Sequence, residues 1–180
     1  MQVFNRHQRR IPLPCARVGA LIDSLASTED LLWPHYLWPK MKFDKPLAIS
    51  AKGGHGPIRY FVESYARGKS ICFRFMEPKG FNGFHRYDVI AESENSCCLQ
   101  HTLEMQTSLL AILSWPFIFR PLHDALIEDS LATAQLRIVK SVRTLNLGPL
   151  GSKYCAGCSP AENQNRKLFD LPSGQCPIEH

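Results

Sequence analysis

Long hydrophobic runs are missing from this chain of 180 residues. The longest nearly unbroken one, Leu109 to Phe119, contains Pro116 and ends at Arg120, whereas a membrane-spanning helix needs about twenty apolar residues. That run cannot cross a bilayer. Met1 to Arg10 carries Arg6, Arg9 and Arg10 with no apolar stretch behind them, so neither a secretory signal nor an anchor is readable there and the expected location is the cytoplasm. Strong charge is missing as well. The net charge is +5, and the last 37 residues hold three basic and three acidic side chains, so the mild excess falls in the first 143. Arg59, Arg67, Lys69, Arg74 and Arg86 are spread along alternating segments as a solvated face would be, and no nucleic-acid signature accompanies them. No nucleic-acid partner is expected.

A dinucleotide fingerprint is absent too. Gly53-Gly54-His55-Gly56-Pro57 lacks the spacing that cradles a pyrophosphate, precedes a strand pattern and opens no βαβ unit. It reads as a turn, with His55 exposed at its edge. No repeat recurs at solenoid periods. Cysteines number seven, which is odd, and without a secretory signal they are expected to be reduced thiols serving as small core residues.

What is present is ordinary globular composition, 44% hydrophobic and 21% charged, enough for a real core without staples. Pro14 precedes Val18, Leu21, Ile22 and Leu25 at helical spacing, predicting a first helix. Ser27 to Asp30 offers capping side chains before Leu31-Leu32-Trp33, predicting a second short helix limited by Pro34 or Pro39. Two hairpins follow: Ile58–Ala66 with Ser70–Glu77 around Arg67-Gly68-Lys69, and Phe84–Glu92 with Ser96–Gln106 around Ser93-Glu94-Asn95. Alternation puts Ile71, Phe73 and Phe75, then His85, Tyr87 and Val89, then Leu99, His101, Leu103 and Met105 on one apolar face. Arg74, Arg86, Asp88, Gln100, Thr102 and Glu104 fall on the other, polar enough for water. A helix from about Pro121 carries the stripe Leu122, Ala125, Asp129, Ala132, Leu136 and Val139, suited to covering that apolar face. The texture then turns to Gly, Pro, Ser and Asn. The expected division is therefore one domain over 1–143 and a flexible tail over 144–180.

This α+β order, with an antiparallel curved sheet, two short helices after the first strand and a long closing helix, resembles the START-like or SRPBCC superfamily, the helix-grip fold. Trp33-Pro34, Gly53 to Tyr60, Gly83-Phe84-His85 and Pro121 to Asp129 look like a bacterial polyketide cyclase or dehydrase-like branch of it. The resemblance implies an apolar cavity between the sheet and the last helix, holding a lipid, sterol, polyketide or other hydrophobic molecule. The superfamily includes carriers, regulators and a minority of enzymes, so the fold does not choose among them.

The residues expected to line such a cavity are Phe73, Phe75, Tyr87, Leu99, Leu103, Met105, Leu122 and Ala125, with His85, His101 and Asp129 as a polar spot that orients a carbonyl or hydroxyl. Carriage or sensing of the ligand is the preferred function. An imidazole beside a carboxylate would equally serve a cyclase or dehydratase-like enzyme, but no catalytic set, cofactor or metal is assigned. Cys155-Ala156-Gly157-Cys158 is half a zinc-site pattern, which Cys176 and His180 would have to complete, too weak to name a metal. Trp115, Phe117 and Phe119 in the apolar run are core by default, and otherwise a lip for transient membrane contact or for a protein partner through residues 109–119.

Overall fold

The computed structural model describes the backbone of residues 1–146 and the side chains of residues 1–138. From residue 147 on, the expected tail, with Cys155, Cys158, Cys176 and His180, lies outside the described residues. Strand β1 (Gln2–Ile11) leads to helix α1 (Cys15–Asp23), then to β2 (Lys42–Phe43), β3 (Lys52–His55), β4 (Ile58–Ala66), β5 (Ser70–Glu77), β6 (Phe81–Ser93) and β7 (Ser96–Thr107). Helix α2 (Ala111–Ser114), a π-helical turn (Trp115–Phe119) and the long helix α3 (Arg120–Asn146) follow without a break. Helix α3 runs through the expected domain boundary at 143.

The strands form one seven-stranded sheet in the order β1-β7-β6-β5-β4-β3-β2, and every pairing is antiparallel. Both predicted hairpins form. The first strand crosses to pair with the last, so the sheet curves around α3 as a grip. Alternation sets the faces as expected: Leu99, His101, Leu103 and Met105 of β7 are buried, while Glu104 and Gln106 are exposed. Thr102 departs from this, being buried on the outer side, where it stands in register between Arg6 and Arg86, whose long stems can cover a small hydroxyl.

Of the two short helices expected after β1, the first forms and the second does not. Asp30 explains the difference. Its carboxylate accepts the backbone N–H groups of Ala26 (2.7 Å), Leu32 (3.0 Å) and Trp33 (2.8 Å), and a side chain that bonds its own neighbours competes with helical pairing. The resulting turns seat Leu32 and Trp33 in the core. Helix α1 lies directly on the β4–β5 hairpin: a Cβ on Gly19 would stand 2.0 Å from the Gly68 carbonyl oxygen.

The closing helix presents a different stripe from the one expected. Leu126, Ile127, Ser130, Leu131, Ala134 and Ile138 are buried, whereas Ala125 and Leu136 face outward. With about 100° between successive residues, the inward set follows the stricter 3.6-residue period. Two apolar clusters result. The larger joins α1, the turn at Trp33, the sheet and α3, and the smaller gathers Val3, Phe81, Leu103, Met105, Ala111 and Trp115. Cys15, Cys72 and Cys97 are free thiols, as expected. No helix among the described residues is long and apolar enough to cross a membrane.

Candidate functional site

Between the two clusters lies a cavity of about 220 Å³. Its walls come from the sheet (Phe75, Phe81, His85, His101, Leu103), from the segments before β2 and β4 (Trp33, Trp38, Pro39, Gly56, Pro57), and from the C-terminal helical segment (Trp115, Phe119, Leu122, His123, Leu126, Ile127). His55 and Ile58, the pair flanking the Gly56-Pro57 turn, complete it. Of the expected lining residues, Phe75, His85, His101, Leu103 and Leu122 stand there. Phe73, Tyr87, Leu99 and Met105 are buried in the clusters instead, and Ala125 is exposed on the outer side of α3.

Four imidazoles border this apolar space. His85 is stacked against Phe73 and Phe75, with ring centroids 5.0 and 5.1 Å away, and Tyr60 meets it edge-on at 4.9 Å. Its Nδ1 lies 3.2 Å from His101 Nε2. Tyr87 meets His101 edge-on, and His101 and His123 rings are 5.2 Å apart. His55 Nδ1 is 3.0 Å from the Tyr60 hydroxyl. Burial is the main reason that these rings resist protonation: it holds His85 and His101 well below the usual histidine range, lowers His123, and takes His55 down to about 4. At neutral pH each is an uncharged imidazole with one donor and one acceptor nitrogen.

The bond between His85 and His101 uses one nitrogen of each. His85 Nε2 and His101 Nδ1 are buried with no hydrogen-bond partner among the described residues, as is His123 Nε2. Whichever ring donates in the shared bond, the pair is left with one free N–H and one free lone pair. The expected third member of this spot is elsewhere: Asp129 accepts the Trp38 indole N–H at 2.8 Å and does not meet the histidines. Tyr87 is likewise committed. Ser130 donates to the Leu32 carbonyl at 3.1 Å, so the Tyr87 hydroxyl donates to Ser130, 2.9 Å away. Neither Cys97 nor Cys72 is a ready nucleophile, since burial pushes Cys97 up to about 12 and Cys72 to about 11.

No protein-family model matches the chain, and no curated protein matches it. Solved structures do. Norcoclaurine synthase of Thalictrum flavum, as a point mutant with a transition-state analogue, superposes with a TM-score of 0.57 at 13% identity, over 76% of this chain and 96% of that one. The helix-grip fold is thereby shown. A Bacillus cereus protein named XoxI gives 0.55 at 14% identity, over 76% and 96%, and a Thermobifida fusca protein gives 0.55 at 13%, over 74% and 91%. These neighbours are Bet v1 or SRPBCC-like helix-grip proteins. At such identities the likeness carries the architecture and leaves the chemistry to the residues present.

The sequence placed His55 at the exposed edge of a turn and left His123 unassigned, although both carried a signal. His55 precedes a two-residue turn and is opposed by Ile58, so it ends strand β3 of a hairpin and does not sit at a loop tip. His123 lies three and four residues before Leu126 and Ile127, on the face they define. Trp115, assigned by default to the core, is buried at 4% exposure, whereas Phe117 is 78% exposed.

Proposed function

We propose that this protein binds a compact, largely apolar small molecule in the cavity between sheet and α3, as a carrier or sensor. The observation that supports this most is the set of unpartnered imidazole nitrogens beside an otherwise apolar cavity. Buried polar atoms need partners; these three nitrogens are closed off from the empty cavity, so a bound hydroxyl or carbonyl would reach them through a small turn of the rings that border it. Since about 150 Å³ holds a benzene, 220 Å³ suits a single substituted ring or a short acyl chain better than an intact sterol. Affinity would come from apolar burial at roughly 25 cal/mol per Å², and the imidazoles would set orientation.

Entry would take place at the helical end. Leu109, Leu110, Leu113, Phe117 and Ile118 are exposed next to Trp115, Phe119 and Leu122 of the cavity wall. That stretch has no acidic residue. Such a lip suits transient contact with a bilayer from which an apolar ligand is drawn. Phe117 would then carry the contact that the sequence shared among Trp115, Phe117 and Phe119.

A second reading, a cyclase or dehydratase-like enzyme, is favoured by one feature. His123 Nδ1 is 3.4 Å from Asp124 Oδ1, and its unpartnered Nε2 belongs to a ring that borders the cavity, the arrangement of an oriented general base. The test is native mass spectrometry of the protein purified from its source, followed by denaturing extraction. A discrete adduct, absent from Leu103→Trp, is the expected result. An unliganded mass that does not shift with a panel of small aromatic and acyl compounds would overturn the proposal. An extracted compound that the protein converts, with conversion lost in His123→Gln, would favour the enzyme.

A further inference from the structure

Beside the cavity, β1 and the first turn of α3 bring His7, His123 and Asp124 together. His7 Nε2 is 3.2 Å from Asp124 Oδ1, and His123 Nδ1 is 3.4 Å from the same oxygen. One ligand atom from each lies within 4.8 Å of the others. Each ring nitrogen of His7 faces a carboxylate. Its Nδ1 is 2.7 Å from Glu128 Oε1, and Arg9 donates to the other oxygen of Glu128 at 2.8 Å. Glu128 is thus held in place to accept the Nδ1 proton. A His7 ring in that tautomer turns the lone pair of Nε2 toward a carboxylate oxygen, and two acceptors so close need a positive centre between them.

We propose that His7, His123 and Asp124 bind a divalent first-row transition-metal ion of the zinc or ferrous class. Bonds of about 2.0–2.1 Å in a tetrahedron separate neighbouring donors by about 3.3–3.4 Å, which matches the two separations above. Two imidazoles and one carboxylate are a donor set that leaves coordination positions open. Glu128 is the outer carboxylate that orients a ligating imidazole in such sites. Arg120 approaches Asp124 at its other oxygen, Oδ2, at 3.7 Å, and so leaves Oδ1 to the ion. Asn5 donates to Oδ1 at 2.9 Å, and its own amide oxygen is buried without a partner among the described residues. Turned over, the same amide would offer an oxygen to the ion. Such a metal would pin α3 to the edge strand. Because His123 would ligate through Nδ1, its Nε2 would carry the proton and act as a donor toward the cavity. The competing positive centre is a second proton on His7, and the experiment separates the two.

The full chain, stripped with a chelator, is titrated with Zn²⁺ by calorimetry and with Co²⁺ by visible absorption. A Cys155→Ser/Cys158→Ser variant removes the CxxC thiols. Binding of roughly one equivalent in both the natural chain and that variant is expected, with no thiolate charge-transfer band from Co²⁺. Affinity should fall about 10–100-fold in Glu128→Gln and below detection in Asp124→Asn and His7→Ala, each checked by circular dichroism. Should His7→Ala not fold, the other two variants decide. No binding by the natural chain, binding that persists in Asp124→Asn, or loss confined to the cysteine variant would each overturn the site and leave a protonated His7 in its place.

Discussion

Mild acid should destabilise this protein, and the size of the effect follows from the cavity histidines. His55, His85 and His101 are held below their ordinary range by burial. A depressed histidine contributes stability that is present above the unfolded pKa, near 6.5, and is lost as pH falls through it. For His55 the window runs from there to about 4, and for the other two it opens at the same point and runs well below it. At about pH 5.5 the unfolded chain gains roughly 1.4 kcal/mol from protonating each ring, so the three together remove about 4 kcal/mol relative to about pH 7.5. That is a large share of a typical total of about 5–15 kcal/mol. With a urea dependence of about 2 kcal/mol per M, the unfolding midpoint should fall by about 2 M. Tryptophan fluorescence reports it, since Trp33 and Trp115 are buried. In His85→Phe, whose ring would rest between Phe73 and Phe75, the difference should shrink by about a third. A midpoint that moves by less than about 0.5 M in the natural chain would mean that the folded protein accepts these protons, and would refute the account of a dry, neutral cluster.

Two further outcomes are expected. Gly19→Ala should destabilise by about 1–3 kcal/mol despite alanine's better helix propensity of about 1 kcal/mol, because its Cβ would meet the Gly68 carbonyl; thermal unfolding should show a melting temperature lower by several degrees. Phe117→Asp should abolish co-sedimentation with anionic liposomes while leaving the fold unchanged, since Phe117 is not packed in the core; retained sedimentation would remove the bilayer-contact proposal.

The sheet was legible because period-2 alternation and two punctuated hairpins leave little choice of face. The cavity was legible only in part, for reasons that differ by residue. On β6 and β7 the inward side chains were identified, yet only some reach the cavity, since depth along a strand depends on where α3 crosses it. On α3 an apolar stripe beginning at Leu122 competed with one beginning at His123, and a histidine weighs little in a hydrophobic pattern. The turn around Asp30 was lost for a related reason: the residues that cap a helix also hold a chain that never becomes one.

The bond between His85 and His101 has a consequence for recognition. Moving one proton along that bond, and one at each outer nitrogen, exchanges the free donor and the free acceptor with the rings left where they are. The buried pair can therefore answer a donor at either outer nitrogen with an acceptor, or the reverse, without moving a ring. Under the proposed binding role such a pair would be indifferent to the order of a guest's polar groups, a tolerance suited to receiving a set of related molecules.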